Sequence, residues 1–347
     1  MGAKTKRSLM ATGLALAIIA TAAAGLFYLV VFAPNVKLEG PESTVIHIPS
    51  GSAYEDVREM LIRENLLRNS RSFEWLARRK NYPARIMPGR YRIVDGMSNN
   101  SLINLLRSGE QEAVNLVFNN IRSVEQLASV IAEQIEADSL SIVRLFSDNH
   151  LMEELGVDSQ GLKLLFIPNT YQVYWTTSPR QLFHRMEREY HAFWNENRRA
   201  QAREAGLSLQ EVGILASIVQ SETSKQDEMP RIAGVFMNRL QRNIPLQADP
   251  TVIFAIGDFS IRRVLNSHLA YDSPYNTYLY AGLPPGPIRL PEPHSIDAVL
   301  NYEEHDYLYF SAKEDFSGYH VFARTYREHL DNARRYRRAL DQLRVFR

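Results

Sequence analysis

The sequence predicts an α+β protein behind a single N-terminal transmembrane helix, with a small α/β module followed by a larger mixed α+β domain. Three observations carry this. An uncharged run extends from Ser8 to Phe32. A strand, two helices and a strand can be read soon after it. Farther on, helical apolar stripes alternate with short β-rich segments. At 347 residues the chain has room for two or three modest domains.

The first element is the apolar run. Lys4, Lys6 and Arg7 precede LMATGLALAIIATAAAGLFYLVVF, which exceeds the roughly 20 apolar residues needed to cross a bilayer. A cleaved signal peptide competes with this reading, with Ala22-Ala23-Ala24 as its small-residue site. Gly25 to Phe32 prolong the run beyond that site, past the roughly 7–15 residues of a signal peptide's apolar region. The expectation is a cytoplasmic tail at 1–8 and a single-pass anchor at 9–32 in the cytoplasmic (inner) membrane. The basic flank stays inside, so the rest is extracytoplasmic. APNVKLEGPES, at 33–43, carries Pro and Gly without apolar periodicity and reads as a linker.

The small module is expected at 44–109. Val45, His47 and Pro49 begin a strand-like segment, and Ser50-Gly51-Ser52 reads as a turn. Tyr54, Val57, Met60, Leu61 and Leu66 mark an amphipathic helix, and Ser70 is the expected cap of a second. RYRIV after Pro88-Gly89 alternates as a strand. SNNSLINLLRSG closes as a helix on Gly109.

The larger domain is expected at 110–347. VNLVF reads as a strand, and SVEQLASVIAEQI as a helix with Ser123 and Gln126 in capping-box spacing. LKLLFIPNTYQVYW turns at Pro-Asn, and a long helix follows over 179–205. Ser208 and Glu211 open another helix, whose apolar stripe is Ile214, Leu215, Ile218 and Val219. Glu222 continues that stripe, where a carboxylate is costly unless it is paired or protonated. Two readings remain open at this point: a structural salt bridge, with Arg239 of the next helix as partner, or a catalytic acid. The segment 273–288 holds three tyrosines, four prolines and two glycines, the composition of a rigid irregular loop. Its tyrosines and amide suit either ordinary packing or a sugar chain. His320, in YHVF, reads as a satisfied packing residue.

Composition narrows the function. Lys plus Arg number 40 against 39 Asp plus Glu, so no global basic field draws nucleic acid. The Arg-rich stretch 324–347 alternates with Tyr, Leu and acids, as the solvated face of a closing helix. Without cysteine there are no disulfides and no thiolate metal sites. HExxH, phosphate-loop and GxSxG patterns are missing too, so no metal or cofactor is expected.

As a set, SIVQSET at 217–223, VFMNRL at 235–240, LQADPTVIFA at 246–255, YNTY at 275–278, GLPPGPI at 282–288 and YLYF at 307–310 resemble the endolytic murein transglycosylases of the MltG (YceG-like) family. FIPNTYQV at 166–173 resembles its Pro-x-Thr-Tyr segment. MPGRYRI and GMSNNSLINLLRSG resemble its LysM-like region, so 44–109 is the expected LysM-like module and 110–347 the expected catalytic domain. Gln220-Ser221 and Ala248 depart from the residues common in the family.

The resemblance implies non-hydrolytic cleavage of the MurNAc–GlcNAc β-1,4 bond in peptidoglycan glycan strands, leaving 1,6-anhydro-MurNAc ends and terminating or trimming nascent strands. Glu222 is the implied catalytic acid and base. Gln247, Asp249, Tyr275, Asn276 and Tyr278 are the candidate substrate-binding residues, and cell-wall synthases are the implied partners. Two alternatives accompany it: a muramidase-type hydrolase using Glu222 with Asp249, and a non-enzymatic peptidoglycan-binding anchor.

Overall fold

The computed structural model describes residues 3–342, with side chains from Met10 onward. The expected basic flank at Lys4, Lys6 and Arg7 lies outside the described side chains. Met1, Gly2 and the end of the closing stretch, 343–347, lie outside the described residues. The chain is a mixed α+β protein with one apolar N-terminal helix, as expected. It divides into two compact units.

Among the described residues, the first unit spans 3–115 with 134–136 and 172–177. It opens with α1 (Ala3–Phe32), whose stretch Met10–Phe32 is long and apolar enough to cross a membrane. Strand β1 (Ser43–Ile48) pairs antiparallel with β2 (Gly89–Val94), with Ser43 opposite Val94 and Ile48 opposite Gly89. Alternation puts Ile46, Ile48, Tyr91 and Ile93 on the buried face. Between the strands come α2 (Tyr54–Arg63), α3 (Ser70–Arg79) and a 3-10 turn at Tyr82–Ala84; α4 (Asn99–Ser108) follows. Phe73, Leu76, Leu102 and Leu106 from these helices complete the core. Gly109 ends α4 at φ 75°, a left-handed position natural to glycine. One expectation shifts by a residue. The cap of α3 is Asn69, whose side chain accepts from Ser72 N, and Ser70 is the first helical residue.

Among the described residues, the second unit holds 116–133, 137–171 and 178–342. Strands β3 (Val114–Phe118) and β4 (Asn169–Val173) form a two-stranded sheet, of which 116–118 and 169–171 belong to this unit. Between them lie α5 (Val124–Ala132), α6 (Ser139–Leu145), α7 (Asn149–Leu155) and α8 (Ser159–Leu164). The last three are too short to show a period, yet each begins on an aspartate, Asp138, Asp148 and Asp158, whose side chain accepts backbone N–H groups.

The expected helix over 179–205 is instead two helices, α9 (Pro179–Phe193) and α10 (Glu196–Glu204). Asn195 supplies the physical reason. Its side chain accepts from Arg198 N at 3.0 Å and starts a new helix, while the turn buries Trp194.

Helix α11 (Leu209–Glu222) starts on the expected Ser208/Glu211 capping box and is buried on every side from Val212 to Gln220. Around it pack α12 (Met229–Gln241), α13 (Asp249–Ile256) and α15 (Pro293–Leu300); the short α14 (Asn266–Leu269) precedes the loop 273–288. That loop has no regular secondary structure, as its prolines and glycines require. Two polar side chains on α11 anchor its exit. Ser217 Oγ accepts from Ile288 N at 3.1 Å, and Gln220 Oε1 accepts from Glu292 N at 2.8 Å. The hairpin β5 (Tyr309–Ala312) and β6 (His320–Ala323) and then α16 (Tyr326–Gln342) complete the unit.

Candidate active site

Glu222 is the last residue of α11, and the helix stops there because Thr223 turns to an extended conformation. It lines a cleft of about 460 Å³ together with Arg239, Gln247, Asp249, Tyr278, Tyr309, His320, Tyr326 and His329. Part of its surface opens to the cleft, while protein packs densely around the carboxyl group. Its pKa is pushed up to about 8, first by burial and then by the charge of Asp249, with Arg239 opposing both. The dense surround decides the direction.

The salt-bridge reading of Glu222 does not survive. Arg239 is buried and already committed. Its Nε donates to the Leu308 carbonyl at 2.7 Å, and Nη1 donates to the carbonyls of Pro245 and Leu246 and to Gln247 Oε1, at 3.0, 2.9 and 3.2 Å. Its guanidinium also lies over the Tyr309 ring, 5.0 Å from the centroid. Among the described residues no ion pair joins it to Glu222, and no side chain or backbone donor reaches the Glu222 carboxyl. Arg239 is a clamp on two cleft walls.

One of those walls is Gln247-Ala248-Asp249. Gln247 has φ 52°, a costly conformation for a residue with a β-carbon. The loop 273–288 holds it there. Gln247 N donates to the Thr277 carbonyl at 3.0 Å, and Ala248 N donates to Thr277 Oγ1 at 3.0 Å. The Thr251 hydroxyl donates to the Ala248 carbonyl, which leaves Thr277 to donate to Thr251 across 2.8 Å. Asp249 thereby sits at the start of α13, facing the cleft. Tyr278 donates its phenol proton to Asp249 Oδ1 at 2.6 Å. Burial and that hydrogen bond push the Tyr278 pKa far up, so it stays a donor.

The structure therefore brings together Glu222, Gln247, Asp249 and Tyr278. It does not bring Tyr275 or Asn276 to the cleft. Asn276 is fully buried and donates to the carbonyls of Leu269 and Tyr271 at 2.9 and 2.8 Å, shaping its own loop. The ring of Tyr275 packs 4.9 Å from Phe254. Both support the wall from behind.

His320 is satisfied, as its setting in the sequence suggests, and it also lines the cleft. Its Nδ1 lies 2.7 Å from Oε2 of buried Glu228, whose Oε1 accepts from His320 N. Thr223 Oγ1 donates to the same carboxylate at 3.3 Å, so the dyad is tied to the residue after Glu222. Sequence reasoning missed the aromatic side of the cleft. Tyr309 stacks on His329 at 5.4 Å and meets Tyr326 at 5.8 Å. The alternating Tyr and Phe of YLYF were the available signal, but their partners lie on α16. Among the described residues no cluster of three or more His, Cys, Asp or Glu could hold a metal.

Comparison with known proteins places the chain in a family. The YceG-like family model matches residues 46–335. An endolytic murein transglycosylase of Bacillus subtilis (strain 168) is 28% identical over 310 residues, covering 85% of each chain. One from Streptococcus pneumoniae serotype 2 is 26% identical over 77% of this chain, which spans 54% of that longer relative. The crystal structure of a YceG-like protein from Listeria monocytogenes superposes with a TM-score of 0.56 at 26% identity, covering 84% of this chain and 99% of the other. With the family model matching most of its length, the chain belongs to the YceG-like family.

Proposed function

We propose that the protein is a membrane-anchored endolytic lytic transglycosylase of peptidoglycan, cleaving the MurNAc–GlcNAc β-1,4 bond without water. The observation that carries the reading is Glu222, a carboxyl group with a pKa raised to about 8 in a cleft walled by tyrosines. Relatives named for this reaction support it. Near pH 7 such a group is mostly protonated. It is an acid ready to donate.

Glu222 gives its proton to the glycosidic oxygen as the bond from that oxygen to the muramyl C1 breaks. The resulting carboxylate, unpaired and facing the charge of Asp249, is a better base than an ordinary glutamate. It takes the proton of the muramyl 6-hydroxyl, whose oxygen closes onto C1 and leaves a 1,6-anhydro end. The proton count closes and Glu222 returns to its starting state. Since the nucleophile belongs to the substrate, one enzyme carboxyl group suffices, where glycosidases use two. Asp249 and Tyr278 hold sugar hydroxyls, while burial and the charge of Asp249 keep Glu222 protonated between turnovers. Exposed Tyr326 offers a face on which a sugar ring stacks.

The anchor is α1 within a cytoplasmic membrane, its N-terminal side cytoplasmic and the remainder outside. Residues 44–109 are the LysM-like module, 110–347 the catalytic domain, and nascent strands the substrate, with cell-wall synthases as neighbours.

A second reading rests on Asp249, whose charge is felt at Glu222: with a water between them the pair would act as a hydrolase. Mass spectrometry of digested glycan strands separates the two. Anhydro ends, about 18 Da (one water) lighter than hydrolysed ends and absent with Glu222→Gln, support the transglycosylase. Reducing ends support the hydrolase.

A further inference from the structure

The first unit is joined to the apolar helix without slack. Val31 is buried in its core, and Asn99 Nδ2 donates to the Val30 carbonyl at 2.8 Å. Phe27 meets Trp75 of α3 edge-on, with 6.4 Å between ring centroids. The apolar span, Met10–Phe32, is 23 residues. At 1.5 Å per residue that is about 35 Å, against a hydrocarbon core of about 30 Å. Its last turn thus reaches the headgroup layer. Phe27 lies about 7.5 Å below Phe32 along the helix, at the edge of the hydrocarbon, and Trp75 is held beside it.

The open face of α3 suits that depth. Arg71, Trp75, Arg78 and Arg79 are all exposed, and their spacing of four, three and one sets them on a single stripe. Trp75 keeps 42% of its surface free. The Arg79 guanidinium lies over its indole, 5.4 Å from the centroid. Glu74, the acid of this helix, is taken by Arg58 at 2.8 Å. Among the described residues no carboxylate pairs with Arg71, Arg78 or Arg79. Phe27, Tyr28 and Phe32 of α1 are exposed as well, the aromatic belt of a membrane boundary.

An indole and three unpaired guanidinium groups, level with the headgroups, match one partner in particular. Indole rings settle at the interface, and guanidinium forks bind phosphate. We propose that α3 is a second membrane contact, in which Trp75 enters the interface and Arg71, Arg78 and Arg79 bind the phosphates of anionic phospholipids. It rests on α1 crossing the bilayer, and it fixes how the first unit lies on the surface.

The cysteine-free chain allows a clean test. The full-length protein, with a spin label on one introduced cysteine, is reconstituted in phosphatidylcholine vesicles with or without phosphatidylglycerol. Arg71→Cys and Trp75→Cys report the stripe, and Leu26→Cys reports the span. Glu55→Cys, beyond the far end of β1 from the linker, reports water. With phosphatidylglycerol, labels at 71 and 75 are expected to be several-fold less accessible than 55 to a water-soluble relaxant. Omitting that lipid, or replacing Arg78 and Arg79 by Gln, restores access, each arginine favouring anionic lipid by a factor of about five. Labels at 71 and 75 as accessible as 55, with 26 shielded, overturn the contact and leave the anchor standing. Position 26 open to water overturns the anchor itself. Shielding that ignores both phosphatidylglycerol and the arginines overturns the assignment to anionic lipid.

Discussion

Glu222 shows how a single residue can be costly to the fold and useful to the chemistry. A carboxyl group whose folded pKa stands near 8 rather than 4.5 holds its proton more tightly folded than unfolded. Its contribution to stability is complete below about pH 4.5 and drains away as pH rises toward 8. At pH 7, allowing for the part of the group that water reaches, the cost is about 1–3 kcal/mol. Glu222→Gln is therefore expected to unfold at higher temperature than the parent at pH 7.5. The gain should vanish near pH 4, as thermal melts at the two pH values would show. Activity of the same variant on glycan strands should fall by at least about 10²–10⁴-fold, the usual weight of a general acid. Glu222 was legible in the sequence because one charged side chain interrupts an apolar period. Tyr309, Tyr326 and His329 were not, since they meet only across the hairpin and α16.

At the scale of elements, Arg239 joins what the chain keeps far apart. It binds 245–247 to Leu308 through one guanidinium fork. Arg239→Lys keeps the charge but has neither the planar fork nor enough donors in register. It is expected to cost roughly 3 kcal/mol, with buried carbonyls left unsatisfied, and denaturant melts would read this directly. A gain of activity in that variant would contradict the clamp. Local rules marked many elements in advance: the Ser208/Glu211 box starts α11, Gly109 ends α4, and the Pro-Gly composition of 273–288 keeps it irregular. They failed where a side chain redirects the backbone. Asn195 starts a new helix inside a continuous helical pattern, and three aspartates open helices too short to show a period. Asn276 was read as a ligand group because an amide beside tyrosines suits sugar equally well. Only its burial reveals its work inside the loop.

For the whole molecule, the sequence places one apolar helix at the front of an α+β chain, and the structure adds that the helix ends inside a folded unit. Val31 belongs to that core, and Val30 accepts the Asn99 amide. A fragment starting at Pro34 loses both, about 1.5–3 kcal/mol for the valine burial alone. Two separate cores need not melt as one. Calorimetry in detergent is expected to show the first unit of that fragment melting earlier than in the full chain, with the second unit unmoved. A first unit that melts at the same temperature in the fragment as in the full chain would contradict the fused arrangement. The division into two units was not legible at this detail, because 134–136 and 172–177 return to the first unit from far along the chain.

Everything in the mechanism depends on Glu222 being protonated at neutral pH, and difference infrared spectroscopy tests this without a substrate. The protonated carboxyl band that the parent has and Glu222→Gln lacks should persist at pH 7 and disappear with a midpoint near 8. In Asp249→Asn the midpoint should fall, because one source of the upward shift is gone. A midpoint near 4.5, the ordinary value for a glutamate, would leave Glu222 ionised when it is needed as an acid, and the mechanism built on it would fail.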